Sequence, residues 1–146
     1  MDEKPTVIYL KEASRASRCF IGKALQDAGI EDLGPQEAHI LFYLMKHEEA
    51  SSGELRQVSG SSKAGVSDAL SHLVERGYIE YVNSELDRRE KNIVLTKKGL
   101  DHQRRVGEVI HLAEEALFDG VSKEEEDILR KALSQIIKNT KGGEHV

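Results

Sequence analysis

Leu86-Asp87-Arg88-Arg89-Glu90-Lys91-Asn92-Ile93-Val94-Leu95-Thr96-Lys97-Lys98-Gly99 is the stretch whose reading decides the fold. Asp87, Arg88 and Arg89 sit at a turn, a short β-type run follows at Ile93-Val94-Leu95, and Thr96 opens a long amphipathic helix. Upstream, Ser61–Tyr81 reads as a helix, a Gly77 stop and a strand. Helix, strand, charged hairpin and strand, in that order, is the layout of a winged helix-turn-helix. Such a shape puts a helix in one DNA groove and a basic finger in its neighbour.

Working outward, residues 7–28 read as a helix with Leu10, Ala13, Ser17, Phe20, Ala24 and Leu25 on or near one face, stopped by Gly29. Pro35 sits near the first position of a second helix, 35–47, whose apolar surface suits a central place. Ser51 and Glu54 form a capping box that starts a short helix over roughly 52–58. After the Gly60 break, Ser61 or Ser62 caps a fourth helix running to Arg76, with Val66, Leu70, Leu73 and Val74 as its buried stripe. Two helices across a Gly-containing turn also occur as plain helical hairpins. What separates the readings is the pair of β-prone runs that follows, Tyr78–Val82 and Asn92–Leu95, around the polar segment Asn83–Lys91. A long helix over 97–118 and a last one over 123–139, opened by a second capping box at Ser122 and Glu125, complete the chain. The fold class expected is mainly α with a small β-hairpin wing.

Composition bounds the function. The chain has 146 residues, 38% hydrophobic and 32% charged, enough for one domain over 1–146 with a core. No apolar run approaches the roughly 20 residues of a membrane helix. The opening MDEKPTV is acidic and has no signal-peptide hydrophobic region, so a cytoplasmic protein is expected. One cysteine excludes an intramolecular disulfide framework and a cysteine-cluster zinc site. Net charge is −5, but residues 50–100 carry 8 basic and 7 acidic side chains, the only third that is not acidic. Duplex affinity depends on local phosphate neutralisation more than on total charge. This is a weak basic patch, so salt-sensitive binding that needs two protomers is expected.

Over residues 33–100 the chain resembles the MarR family of winged-helix repressors. The resemblance rests on Leu33-Gly34-Pro35, Glu54-Leu55, Val66-Ser67, Leu70, Leu73 and Glu75-Arg76-Gly77-Tyr78-Ile79. It is completed by Asp87-Arg88-Arg89 and Leu95-Thr96-Lys97-Lys98-Gly99. The resemblance implies a homodimer joined through helices 7–28 and 97–140, with 35–96 as the winged helix-turn-helix. It implies that the fourth helix enters the major groove, that Arg89 probes the minor groove, and that a small-molecule effector alters the spacing of two DNA-binding lobes. Arginine gains from the focused potential of a narrow minor groove, and Asp87 is placed to hold its guanidinium. Leu10, Leu129, Leu133, Ile136 and Ile137 are the expected dimer contacts.

The chain departs from the family at Asp68, which follows Ser67 where a basic residue is common, and at Glu90 beside the wing arginine. A carboxylate on the reading helix can accept from cytosine N4. It can equally serve solubility or cap a neighbour, and both readings stay open. The expected DNA contacts are Ser61, Ser62, Lys63, Ser67, Asp68, Ser71, His72, Arg88, Arg89 and Lys91, with Asp87 supporting the wing.

Other candidates carry a bland reading beside the sharp one. Cys19 is either a peroxide-sensing thiol, with Arg15, Arg18 and Lys23 near it in sequence, or a small buried apolar group. His39, His102 and His111 either converge between the second and fifth helices or sit at a helix surface. His102 and His111 are nine apart, not the i,i+4 spacing of a helical chelate, so no metal is expected. No nucleophile elbow, phosphate loop or His-Glu metal motif is present, so neither catalysis nor a cofactor is expected. The partners expected are a pseudo-palindromic duplex with half-sites about one helical turn apart, a second copy of the chain, and a small-molecule effector, with no membrane. The competing class is a winged-helix interaction module, or a redox sensor, with weak DNA binding.

Overall fold

The computed structural model describes residues 3–31, 33–59, 62–83 and 91–141. The elements run α1 (Thr6–Asp27), α2 (Pro35–His47), β1 (Glu49–Ser51), α3 (Ser52–Ser59), α4 (Lys63–Glu75), β2 (Ile79–Asn83), β3 (Lys91–Leu95), α5 (Lys97–Leu117) and α6 (Lys123–Lys141). The strands form one antiparallel sheet in the order β1-β3-β2. The expected hairpin is therefore two-thirds of a three-stranded sheet. Ile93 lies at its centre, opposite Ala50 on one side and Tyr81 on the other, and is fully buried.

The core fills the space between α2, α3, α4 and this sheet. Ile40, Leu41, Leu44, Leu55, Leu73, Ile79 and Ile93 are its fully buried side chains. One assignment from the stripes is corrected. Val74 is 39% exposed and Ala69 takes the inward place, because α4 turns its 66–69–70–73 face to the core. The second helix is also less enclosed than a central place implies: Phe42 is 67% exposed, and α2 buries Ile40, Leu41 and Leu44, with Tyr43 packed partly against the core.

Helix ends follow local chemistry. Gly77 has φ 80°, a conformation costly to other residues, and lets its N–H donate to the Val74 carbonyl while Tyr78 N–H donates to Leu73. Ser122 and Glu125 cap each other: Glu125 N–H donates to Ser122 Oγ at 3.1 Å and Ser122 N–H to the Glu125 carboxylate at 3.0 Å. That second bond holds the carboxyl below its usual range. The earlier box closes on one side only. Glu54 N–H donates to Ser51 Oγ, but the Glu54 carboxylate accepts instead from Tyr43 Oη at 2.7 Å, tying α3 to α2 and raising the phenol's pKa.

A lock joins the sheet to α5. Thr96 Oγ1 accepts from Gly99 N–H at 3.1 Å and donates to the Gly77 carbonyl at 2.5 Å, and Thr96 N–H donates to the Tyr78 carbonyl. A Cβ on Gly99 would overlap that Tyr78 oxygen. This gives the Leu-Thr-x-x-Gly pattern a physical reason: threonine caps the helix, and glycine lets it approach the backbone. Beyond the lock, α1 packs along α5, yet no residue of α1 is buried and none of residues 123–140 is. No helix among the described residues is long and apolar enough to cross a membrane.

Candidate nucleic-acid interface

Helix α4 is held on one side only. Ser62 caps it, its hydroxyl accepting from Gly65 N–H at 3.0 Å, and Val66, Ala69, Leu70 and Leu73 anchor it to the core. Lys63, Ser67, Asp68 and Ser71 are exposed on its outer face. His72 is less available than its place off the buried stripe implied. Its Nδ1 lies 2.5 Å from Glu37 Oε1 of α2, so it ties the helix to its neighbour. That partner is 35 positions away in sequence, beyond any local pattern.

The two flanks of α4 differ in charge. Toward α3 and β2 lies a cleft of about 370 Å³, lined by Ser52, Arg56, Lys63, Ser67 and Tyr81 over a floor of Val66 and Leu70. It holds two cations and no lining carboxylate. Toward the start of α2 lies a groove of about 500 Å³ lined by Glu37, Asp68, Ser71, His72 and Glu75, three of them carboxylates. Asp68 thus belongs to the acidic flank and Ser67 to the basic one, although they are adjacent in sequence. Arg56 and Tyr81 were not among the sequence candidates. The available signals were that Arg56 is the only basic residue of α3, and that Tyr81 shares a strand face with the core residue Ile79 yet lies two positions past it.

Lys91 opens β3, exposed and opposite Asn83. Asp87, Arg88, Arg89 and Glu90, with the Asp87–Arg89 pairing expected of them, lie outside the described residues, as does Ser61. Cys19 is exposed on α1, which corrects the reading of it as a buried apolar group; the helix turns that side to solvent. The three histidines do not converge. His39 is exposed on α2, and His111 lies 3.8 Å from Glu115 on an open surface. His102 packs against the Tyr78 ring with centroids 4.6 Å apart. Burial lowers the His102 pKa, and the charges of Arg105 and Lys98 lower it further. Of the expected dimer contacts, Leu10 and Leu133 are half-buried, while Leu129 and Ile136 are each 41% and Ile137 52% exposed, so these faces lack cover in the single chain.

Residues 31–90 match the model of the MarR family. The exopolysaccharide II synthesis transcriptional activator ExpG of Rhizobium meliloti (strain 1021) is 35% identical over 88 residues, 58% of this chain. The chain spans 45% of the length of that relative. A mutant of MarR from E. coli complexed with operator DNA shares the fold with a TM-score of 0.76 at 16% identity, over 90% of this chain and 93% of that one. So does a MarR transcriptional regulator from Methanosarcina mazei Go1, with a TM-score of 0.76 at 21% identity, over 94% of this chain and 96% of that one. The family's model is matched over the helix-turn-helix segment, and the chain folds as these proteins fold, so over this segment it is similar to the MarR family.

Proposed function

We propose that the protein is a sequence-specific, double-stranded DNA-binding transcriptional regulator. It works as a homodimer in the cytoplasm, represses from a pseudo-palindromic operator and is released by a small-molecule effector. Residues 35–96 read the DNA, and residues 7–28 and 97–140 join the two copies. The observation that carries this reading is the one-sided burial of α4. Its cap and outer face present Ser62, Lys63, Ser67, Asp68 and Ser71 outward, beside strands β2 and β3, and the sequence between those strands contains Arg88 and Arg89. A helix held from behind and open in front, beside the paired strands β2 and β3, suits adjacent DNA grooves. A protein of the same fold is known in complex with operator DNA.

Arg89→Ala tests the reading. Binding to the DNA upstream of the chain's own gene should weaken by about 1–3 kcal/mol, the range of one groove contact, with the fold intact. Equal affinity for variant and parent would remove Arg89 from the site. A promoter fusion reads the sign of regulation. Expression should rise when the gene is deleted, whereas a fall would make the protein an activator, as its rhizobial relative is named. The acidic flank of Glu37, Asp68 and Glu75 favours a second reading, a winged-helix interaction module, and parent protein that fails to shift duplex DNA even at low salt would establish it.

A further inference from the structure

A helix in the major groove and a wing in the adjacent minor groove have one phosphate strand between them. That strand must cross the protein where α4 meets the wing sheet. The basic cleft lies there, since Tyr81 of β2 forms one wall and Lys63 and Ser67 of α4 another. Arg56 of α3 closes its far side. Neither Arg56 nor Lys63 forms an ion pair with a described residue, and the nearby Glu54 carboxylate is turned away to Tyr43. Two cations without a described ion-pair partner, two serines and a half-exposed phenol therefore surround an open notch. Its floor, Val66 and Leu70, is apolar and buried, so the polar groups are presented at the rim. The opposite flank carries Glu37, Asp68 and Glu75 and repels phosphate.

We infer that the α3–α4–β2 cleft seats the DNA backbone strand running between the two grooves, with Arg56 and Lys63 neutralising its phosphates and the Tyr81 hydroxyl donating to one of them. The duplex then sits eccentrically on α4. Its phosphates lie on the α3 side, and the acidic side is left to face base edges, where a carboxylate is tolerated. This rests on the DNA-binding reading and adds to it two contacts, Arg56 and Tyr81, that read no sequence.

The test uses the full chain with two labelled duplexes, the DNA upstream of its own gene and a scrambled duplex of the same composition, titrated over a range of salt. Arg56→Gln and Lys63→Gln should each weaken binding about five- to twentyfold on both duplexes, and each should flatten the slope of log affinity against log salt by about 1.8, roughly 0.9 for each protomer of the dimer. Arg56→Lys should restore the slope. Tyr81→Phe should weaken both by a few fold and leave the slope alone, because it removes a donor and no charge. Glu75→Gln, on the other flank, should not weaken either. If the parent binds and Arg56→Gln and Lys63→Gln keep its affinity and slope, the seat is overturned while DNA binding stands. A loss on the upstream duplex alone would make these base contacts, which also overturns it. A parent that binds neither duplex overturns both readings.

Discussion

Helix α4 buries four of its thirteen residues, whereas α6 buries none of residues 123–140, although both carry an apolar stripe. The stripe of α4 meets α2, α3 and the sheet within the same chain. That of α6, with Leu129, Leu133, Ile136 and Ile137, stands beside a chain that does not cover it. The winged-helix lobe is thus complete by itself, while the terminal helices hold apolar area in reserve. Periodicity reports which face of a helix avoids water; it does not report whose surface covers that face.

The comparison breaks most directly at Leu73 and Leu129, two leucines in the two settings. Leu73 is fully buried, so Leu73→Ala removes packed atoms and leaves a cavity that a rigid lobe only partly collapses. The expected cost is about 2–5 kcal/mol, read as a fall in the urea midpoint with an unchanged slope. Leu129→Ala in the dissociated chain should leave that midpoint nearly in place, because the side chain is 41% exposed there. Equal losses at the two positions would mean that α6 is packed in the monomer and that the contrast is wrong.

The second prediction concerns the reserve itself. Leu129→Ser with Ile136→Ser should weaken self-association at least a hundredfold. Each protomer then fails to bury two apolar side chains of about 1.5–3 kcal/mol apiece, and a two-fold interface counts each change twice. Sedimentation over a concentration series checks this. A parent that runs as a monomer at micromolar concentration would leave the α6 face without the partner proposed for it.

What the sequence showed and what it hid follow the same division. The α4 cap and the Gly77 stop were legible, because each is a local pattern with a local cause. Strand β1 was not legible. Glu49-Ala50-Ser51 has neither length nor strong β preference, and it is a strand only because β3 offers its free edge at Ile93. The Leu-Thr-x-x-Gly pattern was read as a family mark, and its reason, the Tyr78 carbonyl under Gly99, is a tertiary contact. His72 was assigned to the DNA face by its angle on the helix, which is blind to Glu37. Charge was legible in total but not in arrangement, since the division of α4 into basic and acidic flanks depends on what α3 and α2 bring beside it.

The smallest effect expected is at the joint between the two regions. His102 of α5 packs on Tyr78, whose hydroxyl donates to Glu31 at 2.7 Å, and the Lys98 ammonium lies 4.8 Å from the centre of the same ring. Lys98 donates to the Arg76 carbonyl and Arg105 to the Ala28 carbonyl, so neither charge is spent on a carboxylate, and Asp101 pairs only at 3.9 Å with Arg104. Burial first, then Arg105 and Lys98, lower the His102 pKa below its ordinary 6.5. Between the lowered value and the ordinary one, the unfolded chain binds more protons than the folded chain, so stability increases with pH through that window. This contribution is complete above the ordinary value and is lost as pH falls toward the folded one. The parent should therefore unfold at lower urea at about pH 5.5 than at about pH 8, and His102→Gln should show a smaller difference. The two proteins share every other titratable group, so the comparison of the two differences isolates His102. If the variant keeps the full pH dependence, the joint is solvated, and the lobe and α5 are coupled by the Thr96 lock alone. If it loses part, the cations around Tyr78 also bind the self-sufficient lobe to the helices whose apolar faces it leaves uncovered.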